Sequence, residues 1–304
     1  MVHVQKIGGF TGHRDCVYAL SKATSSNEFY SAAGDGMVVS WVFEKPDQGE
    51  VLVKLPNSVY ALEYHAERKC LWVGQNFQGI HAIDCISRKE THSAAITTFS
   101  IFSIVHHNNV LYCGCGDGTI VLLDAMDLSS IARWKYSEKS VRTIAVSPNG
   151  EDLAVGYSDH FMRIFSIKDG TLKHEIESHD NSVFALAYSP DGHYLLSGSR
   201  DARLKVWNVK SEYALQQSIA AHLYAINDIA FSPDGRYFVT CSMDKSIKVW
   251  DAQLFKLLKV IDKARHAGHG TSINKVLWTD FGNYIVSGSD DRTLSVWDLN
   301  FSKS

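Results

Sequence analysis

The chain has 304 residues, of which 45% are hydrophobic and 21% are charged, and its formal net charge at pH 7 is −3. This composition is typical of a globular protein with a large core, and the lack of clustered Lys and Arg argues against a nucleic-acid partner. No apolar stretch is long enough to cross a bilayer, and the first residues lack the apolar core of a secretion signal. We therefore expect a cytoplasmic protein that does not bind membranes.

The first predicted element is a strand over residues 3–7, where polar and apolar side chains alternate. After it, one pattern returns about every 42 residues, which indicates a repeat architecture. The clearest marker is the aspartate of a tight turn, which Phe77 replaces in a degenerate second copy. An insertion around residues 263–268 stretches the last copy. The turn aspartates are Asp35, Asp117, Asp159, Asp201, Asp244 and Asp291.

Each copy predicts four strands. The first is apolar on both faces, as in residues 183–188, which is typical of a strand buried on both sides. A turn such as SPDG at residues 189–192 leads to the second strand, and the aspartate turn leads to a third that ends in Trp. The fourth strand, as in residues 172–176, is more polar and suits an outer edge. No long stretch of the sequence has apolar residues that recur every 3.6 residues, so we expect almost no helix.

Four strands graded from buried to exposed describe one blade of a β-propeller. Seven copies fill the chain, so we predict an all-β fold, a single seven-bladed propeller over residues 1–304 with four-stranded antiparallel blades. The last copy ends at Leu299 after three strands. The strand at residues 3–7 is therefore predicted to complete this blade and close the ring, whereas residues 301–304 are expected to be dispensable.

Four copies share a polar set at fixed spacing. In each set a histidine lies 22 residues before the turn aspartate. A hydroxyl residue follows that histidine by 18 positions, and a tryptophan follows the aspartate by six. A buried carboxylate is costly unless donors surround it, and a histidine ring can bridge it to a hydroxyl. The four sets are His13, Ser31, Asp35 and Trp41; His179, Ser197, Asp201 and Trp207; His222, Thr240, Asp244 and Trp250; and His269, Ser287, Asp291 and Trp297.

In this respect the chain resembles the WD-repeat (WD40) β-propeller family. Residues 12–13 and 268–269 are similar to its GH element, and residues 250–251 and 297–298 to its WD element. The resemblance implies that each polar set forms a buried Trp–Ser/Thr–His–Asp tetrad joined by hydrogen bonds. The fold alone does not reveal a function, which must be argued from a site.

A Ser–His–Asp set also occurs in hydrolases, but a catalytic nucleophile occurs once in an enzyme, whereas this set repeats four times on a structural period. We therefore predict no catalytic residues and no enzyme. The six cysteines are scattered, and the Cys113–Cys115 pair lacks the two further ligands of a metal site. Reduced thiols, no metal and no cofactor are expected.

Copies two to four depart from the polar set. The second has Leu55, Phe77 and Ile83 where His, Asp and Trp belong, whereas the third and fourth keep only Asp117 and Asp159. Two interpretations stay open: neutral drift within a repeat, or an arc of the ring that is softer or holds a ligand.

The resemblance also implies which residues surround the mouth of the central channel. They form three groups: the residues three positions after the histidine, those five positions after it, and those directly before the turn aspartate. Most residues of the second group, five positions after the histidine, are aromatic or Arg, the types that dominate binding hot spots. The predicted site comprises Tyr18, Tyr60, Phe102, Arg142, Phe184, Asn227 and Asn274 from the second group, with Arg200, Met243 and Asp290 from the third.

These residues predict a non-catalytic interaction scaffold that docks a partner peptide or loop on the channel-mouth face. We expect three consecutive aromatics to form an apolar arc with Phe184 across from it. Two arginines face one acidic residue, Asp290, so the partner should combine an apolar anchor with an acidic group. Alternatives are aromatics that only pack the channel mouth, a small-molecule site, and, less favoured, a propeller enzyme. We expect a monomeric propeller within a larger complex.

Overall fold

A computed structural model describes residues 2–301. In this range the chain forms seven four-stranded antiparallel sheets, and helical structure is limited to a 3-10 turn at Val209–Ser211 and the four-residue helix α1 at Lys263–His266, within the predicted insertion. The predicted all-β, seven-bladed propeller is therefore confirmed. Each sheet is one blade.

In blades 1 to 6, consecutive strands run from the inside of the ring to its outer edge. Blades 1 to 3 contain β2 (Val17–Lys22), β3 (Glu28–Ala33), β4 (Met37–Val42), β5 (Glu50–Lys54), β6 (Val59–His65), β7 (Cys70–Gln75), β8 (Gly79–Asp84), β9 (Lys89–Ala95), β10 (Ile101–His107), β11 (Val110–Cys115), β12 (Thr119–Asp124) and β13 (Ser130–Lys135). Blades 4 to 6 contain β14 (Val141–Val146), β15 (Asp152–Tyr157), β16 (Phe161–Ser166), β17 (Leu172–Glu177), β18 (Val183–Tyr188), β19 (Tyr194–Ser199), β20 (Arg203–Asn208), β21 (Ala214–Ala220), β22 (Ile226–Phe231), β23 (Tyr237–Ser242), β24 (Ile247–Asp251) and β25 (Leu257–Ile261).

Blade 7 joins the two ends of the chain. It contains β26 (Ile273–Trp278), β27 (Tyr284–Ser289), β28 (Thr293–Phe301) and, as its outer strand, β1 (Val2–Thr11). The predicted closure is confirmed, but both terminal strands are longer than predicted. β28 continues to Phe301, whose ring stacks on Tyr237 with centroids 3.8 Å apart. Phe301 thus packs against blade 6, a contact that the expected dispensability of residues 301–304 did not include; residues 302–304 lie outside the described range.

The hydrophobic core lies between neighbouring blades. Seven clusters of buried side chains occupy the seven blade boundaries, each drawing residues from two adjacent sheets. Between blades 1 and 2, for example, Tyr30 packs in one cluster with Leu62 and Leu71. This explains the apolar inner strands, because each is covered on both faces. It also makes the ring rigid, with the seven inner strands side by side around the channel.

The predicted tetrads are present in blades 1, 5 and 6. In blade 5 the Trp207 indole donates to the Ser197 hydroxyl over 2.8 Å, and that hydroxyl lies 2.7 Å from Nε2 of His179. Nδ1 of His179 lies 2.9 Å from the Asp201 carboxylate. An indole N–H can only donate and a carboxylate can only accept, so the chain of donors runs from Trp to Asp through a neutral histidine. Blades 1 and 6 share this geometry.

Blade 7 departs from the expected tetrad. His269 lies 2.8 Å from Ser287 and 2.9 Å from Asp291, but the Trp297 indole N–H has no hydrogen-bond partner although it is buried. The prediction that Trp297 bonds to Ser287 is therefore wrong. The Trp297 ring is fully buried in the cluster between blades 6 and 7, so it contributes apolar burial instead of a hydrogen bond.

Two of the degenerate blades carry substitute polar networks. In blade 2, His81 bridges the buried Gln75 and the carboxylate of Glu90, with both distances 2.8 Å. In blade 4, Ser137 takes the histidine position and donates to Asp159 over 2.7 Å. The buried Arg163 joins Asp159 at 3.0 Å to Glu175 at 2.7 Å. In these two blades, other polar side chains thus form hydrogen bonds where the WD-repeat set is missing.

The tetrads make stability depend on pH. Burial lowers the pKa of His13, His179 and His222, although the aspartates act to raise it. Burial acts to raise the pKa of Asp201, but the hydrogen bonds that it accepts from His179 and from the backbone N–H groups of Arg203 and Asp180 outweigh it and hold this pKa at about 2. Neutral histidines beside ionised aspartates are thus the stable state of the folded chain.

We expect the thermal midpoint to fall as pH drops below the ordinary histidine pKa of 6.5. Below pH 6.5 the histidines of the unfolded chain bind protons, whereas the buried histidines of the folded chain stay neutral. The free energy of unfolding is therefore highest above pH 6.5 and falls as the pH drops toward the lowered pKa of the folded state. Midpoints measured between pH 7.5 and 5 test this. The variant His179→Gln/His222→Gln should show a shallower pH dependence, whereas the exposed His92→Gln should match the wild type. Equal slopes in all three proteins would contradict the account.

Candidate functional site

All seven inner strands carry a β-bulge at the same position. In β2 the register with β3 shifts between Val17 and Ala19, so Tyr18 is the extra residue, and the other six inner strands do the same. A bulge re-aims a side chain away from the regular alternation of the strand. The seven bulged residues are the set predicted five positions after the histidine: Tyr18, Tyr60, Phe102, Arg142, Phe184, Asn227 and Asn274.

The bulged side chains surround a cavity of about 430 Å³ at the mouth of the channel. A volume of this size suits a peptide side chain or a small ligand. All seven line it, together with Ser100, which the sequence places three positions after the histidine position of blade 3. Sequence reasoning missed three further lining residues, which directly follow bulged positions: Ser103, Thr143 and Lys275.

Five of the bulged side chains form one continuous stack. Tyr18 meets Tyr60 edge to face with centroids 4.6 Å apart, and Tyr60 stacks on Phe102 at 5.8 Å. The Arg142 guanidinium carbon lies 3.8 Å from the centre of the Phe102 ring and 4.7 Å from that of Phe184. Phe184 was expected across from the arc, but Arg142 joins it to the arc. The apolar surface, which we call the aromatic arc, therefore extends over blades 1 to 5.

Arg142 is the electrostatic centre of the aromatic arc. Its Nε is buried without a hydrogen-bond partner, and no carboxylate of the described residues forms an ion pair with it. Burial lowers the pKa of Arg142 to about 10, which leaves the side chain charged at neutral pH. A cation held between two ring faces is stabilised by their quadrupoles, but its in-plane donors still need acceptors.

The opposite side of the cavity is polar and internally bonded. Asn227 donates to the backbone oxygen of Ile273 over 2.8 Å and to the Ser272 hydroxyl over 3.2 Å. Asn274 donates over 2.7 Å to Asp290, the one acidic residue of the predicted site. These bonds fix both amides, so blades 6 and 7 form a rigid polar wall facing the aromatic arc.

Lys275 adds a second cation to this wall. Its Nζ lies 2.9 Å from the buried Asp228 carboxylate, which also accepts the backbone N–H of Val276 over 3.1 Å. Burial acts to lower the pKa of Lys275, but the charge and hydrogen bond of Asp228 outweigh it and raise this pKa. Lys275 is thus neutralised within the protein, whereas Arg142 is not.

Three predicted site residues, Arg200, Met243 and Asp290, lie outside the lining of the cavity. Arg200 and Met243 are exposed on the same face and precede the turn aspartates of blades 5 and 6. This face also carries exposed apolar loop residues that sequence reasoning did not assign to the site. Phe77, 58% exposed at a left-handed φ of 65°, lies beside Phe99, and Leu223 is 83% exposed next to Tyr224. The sequence feature that could have identified them is a large apolar side chain within a predicted turn or loop.

The described residues contain no candidate metal cluster, no disulfide and no membrane-spanning helix. Within residues 2–301, no group of three or more His, Cys, Asp or Glu side chains is placed to hold a metal ion. All six cysteines lie in this range and are unpaired. No helix in the described part of the chain is long and apolar enough to cross a membrane.

Sequence comparison finds the same repeats. The family described as "WD domain, G-beta repeat" matches residues 170–208, 214–251 and 260–298. The "Anaphase-promoting complex subunit 4 WD40 domain" matches residues 131–186. Together these matches run from β13, the outer strand of blade 3, to β28 of blade 7, and they leave out most of the first three blades.

Among curated relatives, Striatin-3 of Homo sapiens is 26% identical over 214 residues, which are 70% of this chain and 23% of that protein. The Periodic tryptophan protein 2 homolog of Mus musculus is 24% identical over 223 residues, which are 67% of this chain and 24% of that protein. The chain thus matches about a quarter of the length of these relatives.

Among solved structures, the crystal structure of the WD40 beta propeller domain of Doa1 superposes with a TM-score of 0.85 at 19% identity, covering 98% of this chain and 97% of that one. This agreement in fold accompanies the repeat matches, the three complete tetrads and the seven-bladed ring. The chain belongs to the WD-repeat family of β-propellers.

Proposed function

We propose that the chain is a non-catalytic interaction module that docks a peptide or loop of a partner protein at the channel mouth. The observation that carries this proposal is the aromatic arc, a continuous stack from Tyr18 to Phe184 along the wall of an open cavity. Aromatic rings supply rigid contact area at low entropic cost, and WD-repeat propellers generally bind proteins or peptides.

The chemistry of the cavity supports a partner with an apolar anchor and an acidic group. The rings of Tyr60, Phe102 and Phe184 offer the apolar surface, and Arg142 offers a charge without a counterion among the described residues. The lining residues include neither histidine nor carboxylate, the groups that general acid–base chemistry uses most. A binding role therefore fits this site better than catalysis.

The volume of the cavity favours one alternative, a small molecule bound by the same residues. Native mass spectrometry of the purified chain separates the two. A stoichiometric small ligand that is absent from the variant Tyr60→Ala/Phe184→Ala would support the alternative.

We also propose that the propeller is monomeric, acts within a larger complex and resides in the cytoplasm.

The docking proposal is tested by truncating the aromatic arc. Once a partner has been captured and purified, Phe184→Ala should weaken its binding by about 2 kcal/mol or more, because the variant removes an anchor of a desolvated contact. Calorimetric titration of purified proteins measures this. Unfolding midpoints of the variants must stay close to the wild type, so that lost binding reflects lost contacts.

The matched control lies on the opposite face, where Asp234 is exposed in the turn between β22 and β23. Asp234→Ala should leave binding unchanged. Crosslinks from the partner should map to the loops around the cavity. A partner that crosslinks only to the turns at residues 189–192 and 232–235, or to the outer strands, would show that the docking face is wrong.

A further inference from the structure

We propose that Arg142 receives a single carboxylate, from an Asp or Glu side chain that neighbours an apolar residue in the docked peptide, and that it discriminates against phosphate. This inference rests on the proposed function and specifies the ligand of its cationic centre. It is carried by the geometry of the Arg142 guanidinium and by the charges around it.

The packing of Arg142 favours approach to its terminal nitrogens. The guanidinium carbon lies 3.8 Å and 4.7 Å from the centres of the Phe102 and Phe184 rings, so these rings occupy contact surface that a stacked ligand would need. Nε is shut off from solvent, but neither terminal nitrogen is buried without a partner. The two Nη atoms are therefore the donors left for a ligand in the cavity. Two parallel N–H donors in one plane match the two oxygens of a carboxylate.

The charge of the cavity selects between carboxylate and phosphate. Its lining residues include two cations, Arg142 and Lys275, and Asp228 neutralises the second at 2.9 Å. One positive charge is thus left for the ligand. A carboxylate carries one negative charge, whereas a phosphoserine carries about −1.5 to −2 at neutral pH. The excess charge of a phosphate would remain uncompensated among aromatic rings that displace its water.

The neighbouring hydroxyls can support the carboxylate without adding charge. Ser100, Ser103 and Thr143 line the cavity in the two blades that contribute Phe102 and Arg142. Ser103 already accepts the backbone N–H of Ile144 over 3.2 Å, which leaves its hydroxyl hydrogen free to donate. The apolar neighbour of the acid would lie on the aromatic arc beside Tyr60.

Three blocked dipeptides test the inference as probes: acetyl-Phe-Glu-amide, acetyl-Phe-Gln-amide and acetyl-Phe-phosphoserine-amide. Calorimetry or ligand-observed NMR gives their dissociation constants for the full chain. We expect the Glu peptide to bind about tenfold more tightly than the Gln peptide, because it gains two charge-assisted hydrogen bonds. The phosphoserine peptide should bind more weakly than the Glu peptide.

Three variants assign the effect to Arg142. Arg142→Gln should abolish the preference for Glu over Gln, and Arg142→Lys should reduce it, because an ammonium lacks the planar pair of donors. Arg200→Gln is the matched control, an exposed arginine of the same face outside the cavity, and should keep the full preference. If Arg142→Gln fails to fold, the Lys variant and the control still decide the question.

Several results would overturn the inference. Tighter binding of the phosphoserine peptide would contradict the selection by charge, and a Glu preference that survives in both Arg142 variants would contradict the role of Arg142. The absence of binding by any probe at millimolar concentration would also overturn it. Equal binding of Glu and Gln peptides that is lost in Phe184→Ala would refute the inference while leaving the docking site intact.

Discussion

Deletion of residues 1–8 should lower the thermal midpoint sharply and drive the protein into aggregates. These residues provide six of the nine register pairs between β1 and β28, and β1 supplies the outer strand of blade 7. Without it, β28 becomes an exposed edge with unpaired N–H and C=O groups, which templates association between chains. The deletion also removes the buried side chain of Val2 and most of the strand pairing that joins the two ends of the chain.

The control for this deletion is Gln5→Ala, an exposed position on the same strand, which should keep the wild-type midpoint. Thermal unfolding followed by circular dichroism, with the soluble fraction after expression, measures both variants. Phe301→Ala is a second test of the closure, because its ring stacks on Tyr237 of the neighbouring blade, and it should also lower the midpoint. A deletion as stable and soluble as the control would show that ring closure does not depend on β1.

Asp201→Ala and Asp244→Ala should each reduce the free energy of unfolding by roughly 1–3 kcal/mol, because buried donors lose their acceptor. Asp244 accepts the His222 ring over 2.8 Å, the Ser246 hydroxyl over 2.6 Å and the backbone N–H of Leu223 over 3.1 Å. The side chains of Asp201 and Asp244 are 8% and 6% exposed, so solvent replaces few of these bonds.

Urea denaturation measures this loss, and Asp234→Ala is the matched control. Asp234 also accepts a serine hydroxyl and a backbone N–H, but it lies exposed in a turn, so water can replace its bonds. Binding by the folded tetrad variants should change little, because the tetrads lie outside the cavity lining. Unfolding midpoints equal to the wild type in both variants would argue that the tetrads do not stabilise the blades.

Much of the candidate site was predictable because it repeats. The fixed spacing from the histidine identified all seven bulged positions, including those in blades 2 to 4, where the histidine itself is absent. The same spacing found three tetrads whose bonds are complete. The failure at Trp297 shows the limit of this reasoning, since spacing places an indole near a hydroxyl but does not orient it.

The sequence by itself determined the number of blades, the order of strands within them, the buried polar sets and the positions that face the channel. These follow from local patterns, the alternation within a strand and the chemistry of turns, which each copy of about 42 residues repeats. Only the tertiary structure decided what these positions meet. The placement of Arg142 between Phe102 and Phe184, the neutralisation of Lys275 by Asp228 and the stacking of Phe301 on Tyr237 join different blades. Such contacts depend on how the sheets pack around the ring, and no period within a single copy encodes them.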